Sequence, residues 1–233
     1  VSGVDRSAGL IVIKPSGVPY DGMKPRHMVV VSLKTGKVVD GNLKPSSDTR
    51  THLVLYRAFP EIGGLVHTHS LFATAWAQAQ RGLPSYGTTQ ADYWYGDVPC
   101  TRLLKPGEIT NASAANTGHV IVETFKKLKF DPMQHPAVLV ASHGPFTWGA
   151  DVADAVHTAG VLEFIAQLAS ETLQINPKLK PMQDEVLAEL DVGHVPVLHV
   201  FNKTDRLTAE HLSALKERMA NLLPGSAFVD ATS

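Results

Sequence analysis

The sequence lacks a surplus of charge of either sign. Its 233 residues carry 21 Lys and Arg against 22 Asp and Glu, which gives a formal net charge of −1 at pH 7. Proteins that bind nucleic acid through its phosphates need a concentrated positive field. The charge balance therefore argues against a nucleic-acid partner.

Cysteine and long apolar runs are also scarce. The single cysteine, Cys100, cannot form a disulfide within the chain, which suits a reducing compartment. No uninterrupted apolar run is long enough to cross a membrane. The first residues have no basic region followed by an apolar stretch, so no secretory signal is visible. We expect a cytoplasmic protein without a membrane partner, in which Cys100 is a packed residue rather than a nucleophile.

The sequence does contain short apolar runs that alternate with amphipathic stretches. With 44% hydrophobic residues, the chain can bury one good core and a small appendage. Strands are predicted at 10–13, 28–32, 65–69 and 138–140, and helices at 51–59, 72–80, 116–128 and 151–170. The alternation indicates a mixed α/β fold.

The sequence changes character at about Asp191, which predicts two domains, 1–190 and 191–233. An apolar strand over 195–201 precedes Asn202-Lys203-Thr204-Asp205. A helix over 208–221 and a strand over 227–229 follow. The second domain is therefore predicted to be a small strand–helix–strand appendage.

A cluster of histidines gives the strongest chemical signal. His67 and His69 flank one residue on a predicted strand, so their side chains point to the same face. His143 follows another buried strand, in a Ser-His-Gly turn. Three neutral imidazoles with one open position suit a catalytic zinc site. The alternative is that these are hydrogen-bonded or surface histidines; the third histidine favours the metal.

Two loops and one carboxylate are weaker candidates. Lys14-Pro15-Ser16-Gly17 and Ser46-Ser47-Asp48 offer hydroxyl, amide and ammonium donors that could surround a phosphate. Taken alone, ordinary turns explain both segments better, because Pro, Gly and Ser are typical of turns. Asp92 precedes Tyr93 in an aromatic stretch, so it could act as a general acid or base. Capping or simple exposure is the commoner role of an Asp.

Six blocks of residues, in order, resemble the class II aldolase/epimerase family over residues 1 to about 187, and within it the L-ribulose-5-phosphate 4-epimerase branch. They are 14–17 (KPSG), 44–49 (KPSSDT), 63–70 (GGLVHTHS), 87–93 (GTTQADY), 99–102 (PCTR) and 142–146 (SHGPF). The resemblance implies an α/β/α fold with a mostly antiparallel sheet. It also implies a zinc ion and a homotetramer whose active sites lie between subunits.

The resemblance also assigns roles by position. It implies that His67, His69 and His143 bind zinc and that Asp48 lies beside the metal. Aldolases of the family typically have Glu at that position, so Asp48 favours the epimerase branch. The implied substrate-phosphate residues are Lys14, Ser16, Gly17, Ser46 and Ser47. Thr88 is implied as a substrate contact and Asp92 as the catalytic acid/base.

The implied reaction interconverts L-ribulose 5-phosphate and D-xylulose 5-phosphate, as in arabinose catabolism, by a retro-aldol and aldol sequence. Two alternatives remain: an aldolase that releases its products, and a folded but inactive remnant of the epimerase. A nucleotide-binding scaffold built around the C-terminal segment is a rival from another class. Product analysis would separate epimerase from aldolase, and metal content would separate both from a scaffold.

The sequence departs from the family at both ends. The family's first helix and its Gly-Asn dipeptide are expected before Val1. Its C-terminal tail carries a catalytic Tyr, but no Tyr follows Tyr95, so weaker turnover is expected. From about Asp191 the chain instead resembles a fragment of a translational GTPase-like protein with an Asn-Lys-x-Asp motif. Because the phosphate-binding G-x-x-x-x-G-K-[ST] loop is absent from the sequence, GTP binding is not expected.

Overall fold

The computed structural model describes residues 1–111, 113–181, 200–201 and 227–228. The chain divides into two compact units, Val1–Gly193 and His194–Ser233.

The first unit is built on a seven-stranded sheet in which every neighbouring pair is antiparallel. Its strands are β1 (Ser2–Asp5), β2 (Leu10–Ile13), β3 (Val29–Ser32), β4 (Val38–Asp40), β5 (Gly64–His67), β6 (Ala137–Val140) and β7 (Gly144–Gly149). Their spatial order is β4-β3-β2-β1-β5-β7-β6. The expected α/β class with a mostly antiparallel sheet is confirmed.

Helices cover both faces of this sheet. They are α1 (Thr49–Ala58), α2 (Leu71–Gln78), α3 (Thr88–Ala91), α4 (Pro106–Thr110), α5 (Ser113–Leu128) and α6 (Val152–Ile175), with short 3₁₀ turns at Tyr20–Gly22 and Pro25–His27. Strand β6 shows the layering, because successive side chains of a strand point to opposite faces. Val138 and Val140 join a core with α1 and α5, whereas Ala137 and Leu139 join a second core with α2 and α6.

Helix α6 is long and apolar enough to cross a membrane by length and composition alone. However, the face that carries Leu162, Ile165 and Ala166 is buried in the second core. The helix packs against β5, β7 and α2. This burial identifies α6 as a core helix of a folded domain.

The structure corrects several predicted boundaries. Strand β5 ends at His67, so His69 lies in the following loop rather than on the strand. Strand β7 was not predicted, because its sequence Gly-Pro-Phe-Thr-Trp-Gly contains residues typical of turns. It is nevertheless buried along its whole length and pairs with both β5 and β6. Tertiary burial overrides local propensity here.

In the second unit, β8 (Val200–Phe201) and β9 (Ala227–Phe228) pair in parallel, with Val200 opposite Ala227 and Phe201 opposite Phe228. Parallel neighbours need a crossover connection. The helix predicted at 208–221, the Asn-Lys-x-Asp motif at 202–205 and the remainder of the predicted strand at 195–201 lie outside the described residues.

Candidate metal centre

Three histidine side chains meet at one point of the first unit. The ligand nitrogens of His67, His69 and His143 all lie within 4.8 Å of one another. The Nε2 atoms of His67 and His69 are 3.1 Å apart. A tetrahedral ion with zinc–nitrogen bonds of about 2.0–2.1 Å holds its ligand nitrogens roughly 3.3 Å apart. The spacing therefore suits a shared ion with little movement.

Each histidine reaches this point from a different local structure. His67 is the last residue of β5, and His69 lies in the loop that leads into α2. His143 lies in the tight turn between β6 and β7, where Ser142 adopts φ +59. A Cβ added to Gly144 would approach the Cδ2 of His69 to 3.1 Å. Gly144 thus leaves space for the ring of His69 beside this turn.

The ring of His67 is fixed by two contacts. Its Nδ1 lies 2.8 Å from the carbonyl oxygen of Pro145. Donation of the Nδ1 proton to this carbonyl leaves the Nε2 lone pair free for a metal. The ring also stacks on Phe146, with centroids 4.1 Å apart and planes inclined by 13°. Both contacts come from β7, so this strand orients the ligand.

Burial keeps His67 and His143 neutral. It is the largest cause that lowers the pKa of His67 to about 4, against the opposing effect of the hydrogen bond to Pro145. Burial, followed by the charge of His69, also lowers the pKa of His143. Neutral imidazole is the form that binds a metal ion. At neutral pH the site is therefore ready for a cation without the release of protons from these two rings.

Asp48 lies near the histidines but outside their immediate cluster. Its negative charge acts on His67 and His143, and it raises the pKa of each. It immediately precedes α1, yet its carboxylate does not cap that helix. Instead, one carboxylate oxygen accepts a hydrogen bond from the hydroxyl of Ser46 at 3.2 Å. The carboxylate thus places negative charge near the histidines, where it would favour a bound cation.

The two loops that carry the candidate phosphate ligands run side by side. The N–H of Ser16 donates to the carbonyl of Lys44 at 2.8 Å, and the N–H of Ser46 donates to the carbonyl of Lys14 at 3.1 Å. Gly17 adopts φ +76, which turns the first loop. Ser47 lies exposed between Ser46 and Asp48. Because Ser46 bonds Asp48, the paired loops lie next to the histidine cluster.

Lys14 is engaged within its own loop. Its ammonium group donates to the carbonyls of Pro15 and Val18, at 3.1 Å and 2.8 Å. It also lies 4.8 Å from the ring centroid of Tyr20. These contacts hold a positive charge close to the paired loops.

Thr88 and Asp92 belong to a separate segment of the first unit, around α3. Thr88 begins α3 and Asp92 follows its last residue, in an exposed position. The neighbouring Tyr93 packs against His157 of α6, with ring centroids 6.3 Å apart. Among the described residues, no hydrogen bond or ion pair joins Asp92 or Thr88 to the three histidines.

Comparison with known proteins establishes the family. Residues 1–170 match the family described as "Class II Aldolase and Adducin N-terminal domain". The chain belongs to the class II aldolase family.

Curated relatives of this class II aldolase-family chain include the L-ribulose-5-phosphate 4-epimerase UlaF of Salmonella paratyphi B and of Salmonella typhi. Each is 52% identical over 187 residues, which cover 80% of this chain and 81% of the relative. The chain is thus an enzyme of the epimerase and aldolase type. These matches end before the C-terminal segment and give no support to its resemblance to a GTPase.

Solved structures agree with this assignment. An L-fuculose 1-phosphate aldolase has a TM-score of 0.67 and 25% identity, with 81% of this chain and 82% of that chain covered. A putative aldolase/epimerase/decarboxylase, YgbL from Escherichia coli, has a TM-score of 0.60 and 27% identity, with 81% and 84% covered. The fold of the first unit is therefore that of class II aldolases.

Some supporting residues of this class II aldolase-family site were not found from the sequence. Phe146 belongs to the Ser-His-Gly-Pro-Phe block, but the block alone does not show that its ring stacks on His67. No motif or pattern in the sequence marked Glu163 as part of the site. Its carboxylate accepts hydrogen bonds from the backbone N–H groups of Phe72 and Ala73, at 2.8 Å and 2.9 Å. It thereby caps α2, which begins two residues after His69.

Cys100 is outside this site. Burial raises the pKa of its thiol to about 11, so the thiolate that a nucleophile requires is not formed near neutral pH. This agrees with its expected role as a packed residue.

Proposed function

We propose that the first unit is a zinc-dependent epimerase that interconverts L-ribulose 5-phosphate and D-xylulose 5-phosphate. The observation that carries this proposal is the convergence of His67, His69 and His143 beside the Ser46–Asp48 turn. The 52% identity to L-ribulose-5-phosphate 4-epimerases supports the choice of substrate.

The donor set fits zinc. Nitrogen ligands with one open position are typical of catalytic zinc sites, and the three histidines would supply them. Asp48 would lie beside the ion and offset part of its charge. Bound here, Zn²⁺ would act as a Lewis acid that polarises the substrate's carbonyl.

The paired loops would hold the 5-phosphate. Ser16, Ser46 and Ser47 provide hydroxyl groups, Gly17 allows the backbone to approach closely, and Lys14 adds positive charge. Serine hydroxyls and backbone N–H groups in turns are common phosphate ligands. A phosphate anchored at these loops lies next to the histidine cluster, so one substrate molecule can reach both.

The proposed chemistry inverts C4 without removing its hydrogen. A base takes the proton of the C4 hydroxyl while the C3–C4 bond breaks, which gives an enediolate and glycolaldehyde phosphate. The aldehyde group then rotates so that its other face points towards the enediolate, and C3 of the enediolate attacks this face to re-form the C3–C4 bond. An acid returns a proton to the C4 oxygen. The anchored phosphate keeps the aldehyde in place during the turn.

Asp92 would serve as one of the acid/base groups, with Thr88 as a substrate contact. No hydrogen bond or ion pair among the described residues joins either residue to the histidines of its own chain, so we place both at the site of a neighbouring protomer, as the resemblance to the family implies. The proposal therefore includes a cytoplasmic homotetramer with active sites between subunits. The mechanism needs a second acid/base group on the face of the aldehyde opposite Asp92. In the family the tail Tyr has this role, and here another group would have to replace it.

The main alternative is a class II sugar-phosphate aldolase, which the fold likeness to an L-fuculose 1-phosphate aldolase favours. An aldolase would release the two fragments instead of rejoining them. Asp48 in place of the Glu typical of aldolases favours the epimerase. A folded but inactive remnant is a third alternative.

Product analysis tests the proposal. The purified full chain, loaded with zinc, is incubated with L-ribulose 5-phosphate, and the products are separated by chromatography. Formation of D-xylulose 5-phosphate, abolished by His69→Ala, is the expected result. Net release of glycolaldehyde phosphate would identify an aldolase. Bound zinc without either product would identify an inactive remnant.

The domain proposal places catalysis in residues 1–190 and treats 191–233 as an appendage without GTP binding. Asn202-Lys203-Thr204-Asp205 could contribute base recognition only, and phosphate contacts provide much of a nucleotide's affinity. A titration with GTP and Mg²⁺ tests this. Micromolar binding that Asp205→Ala removes would make the second unit a functional nucleotide-binding domain.

A further inference from the structure

A buried cluster of polar side chains joins α1 to the sheet close to the metal centre. It consists of Ser2 of β1 and of His52 and Tyr56 of α1, which are at most 3% exposed. Ser2 lies opposite Leu65 in the neighbouring strand β5, and β5 ends at His67. The cluster is therefore one strand away from a candidate ligand, yet no step of the proposed reaction uses it.

Hydrogen bonds within the cluster fix the ring of His52. The hydroxyl of Tyr56 donates to the carbonyl of Ser2 at 3.0 Å. The hydroxyl oxygens of Ser2 and Tyr56 are 2.9 Å apart, and Ser2 Oγ lies 2.7 Å from Nδ1 of His52. Each hydroxyl has a single proton to donate. All three contacts can therefore be hydrogen bonds at once only if Ser2 donates to Tyr56 and Nδ1 of His52 donates to Ser2.

Burial keeps the ring of His52 neutral. It is the largest cause that lowers the pKa of His52 well below its usual value. A neutral imidazole has one N–H, and the hydrogen bond to Ser2 requires that proton on Nδ1. The side chain of His52 therefore has one expected tautomer and one ring orientation.

The fixed ring of His52 contacts the aromatic side chain that orients a candidate metal ligand. The rings of His52 and Phe146 form an edge-to-face pair, with centroids 6.4 Å apart and planes inclined by 68°. Phe146 is fully buried, and its ring stacks on His67 with centroids 4.1 Å apart. The ring centroid of Phe146 also lies 6.1 Å from that of His143. Phe146 thus links the ring of His52 to two of the candidate ligands.

The start of α1 also places His52 next to the acidic residue of the site. The backbone N–H of His52 donates to the carbonyl of Asp48 at 3.0 Å, which is the hydrogen bond of the first helical turn. An anchor at His52 therefore also limits the movement of Asp48 relative to β1 and β5.

We propose that His52 is a positioning residue of the metal centre: anchored by Ser2, it holds Phe146 against His67 and keeps the ring of His67 in the orientation that binds the ion. This role rests on the proposed metal site. If His52 were only structural, loss of its ring would lower stability alone. A positioning residue also strengthens metal binding, by an amount that depends on Phe146.

A competition titration of the metal-free full chain with zinc and a chromogenic chelator is the first test. His52→Asn keeps an N–H donor for Ser2 but removes the ring, and we expect zinc affinity to fall by about ten-fold. The matched control is His135→Asn. His135 is another buried histidine, which stacks on Phe130 with centroids 3.8 Å apart, and it precedes β6, whereas His143 follows that strand. This control should change zinc affinity by less than about two-fold.

A double-mutant cycle tests whether the effect of His52 passes through Phe146. Phe146→Leu removes the ring that links His52 to His67. In this background, His52→Asn should weaken zinc binding by less than about two-fold. Equal effects of His52→Asn with and without the Phe146 ring would overturn the proposal. Thermal unfolding shows whether each variant is folded.

A second measurement needs no substitution, so it holds even if His52→Asn does not fold. A long-range ¹H–¹⁵N nuclear magnetic resonance spectrum of the metal-free chain distinguishes the two neutral tautomers of a histidine. His52 should show only the form with the proton on Nδ1. A proton on Nε2, or a mixture of the two forms, would show that Ser2 does not fix the ring and would overturn the proposal.

The titration separates this role from the proposed function. Absence of zinc binding by the unaltered chain would overturn the proposed metal site and this role with it. Zinc binding by the unaltered chain, with equal affinity in His52→Asn and His135→Asn, would overturn the positioning role alone.

Discussion

Replacement of Glu163 by Gln should destabilise the first unit and loosen the metal site. The eight-residue helix α2 has no side-chain cap of its own, since Ser70 makes no capping hydrogen bond. Glu163 of α6 supplies the cap instead, through hydrogen bonds from the N–H groups of Phe72 and Ala73. A carboxylate at a helix N-terminus also interacts favourably with the helix dipole.

The magnitude follows from these contacts. Gln keeps one acceptor oxygen, so it loses one charge-assisted hydrogen bond and the negative charge. A net hydrogen bond contributes about 0.5–1.5 kcal/mol, and a charge near a helix N-terminus adds about 0.3–1 kcal/mol. The free energy of unfolding should therefore fall by about 1–2 kcal/mol. The melting temperature should fall by roughly 2–4 °C per kcal/mol in a domain of this size.

Thermal and urea unfolding of the metal-free protein measure this change, and a competition titration measures zinc affinity. Zinc affinity should fall as well, because α2 begins two residues after His69. Glu171→Gln is the matched control, since this exposed residue lies two turns further along α6. Equal stability of the two variants would refute the capping role of Glu163, and unchanged zinc affinity would refute its link to the metal site.

The remaining predictions concern packing, pH and assembly. Gly118→Ala should destabilise the protein by about 1–3 kcal/mol, since its Cβ would lie 2.7 Å from that of Val54. Gly160→Ala, in an open position of α6, should instead stabilise the protein by about 0.5–1 kcal/mol. Urea unfolding of both variants shows whether the free energy of unfolding falls in the first and rises in the second. Burial lowers the pKa of His67 to about 4, below its unfolded value of about 6.5. In this range the unfolded chain binds more protons than the folded chain, so the free energy of unfolding of the metal-free protein should fall as the pH drops from about 6.5 towards 4. A constant free energy of unfolding over this pH range would contradict the prediction. Asp92→Asn should lower kcat by about 10²–10⁴-fold. When Asp92→Asn chains are mixed in equal amounts with inactive His69→Ala chains, about a quarter of the sites should combine intact histidines from one chain with an intact Asp92 from its neighbour, so activity should return in proportion. If no activity returns after the subunits have exchanged, Asp92 and the histidines act within one chain.

The local sequence was enough to predict several elements. Strand β2 matches the apolar run 10–13, and α5 matches the amphipathic pattern at 116–128 with three more residues at its start. Strand β7 could not be found in this way. Its Gly and Pro residues are unfavourable in an isolated strand, and only its position between β5 and β6 satisfies its backbone and buries its side chains.

The sequence by itself predicted the candidate metal ligands and determined the family, because His67-Thr68-His69, the Ser-His-Gly turn and the two serine-containing loops are local patterns that do not depend on the rest of the fold. Only the tertiary structure decided how these parts meet. His69 reaches the site from a loop rather than from β5, and Phe146 and Pro145 orient His67 from a neighbouring strand. Among the described residues, it joins Asp92 to none of these histidines by a hydrogen bond or an ion pair. Such distances depend on the packing of residues far apart in sequence, and residue spacing alone does not specify them.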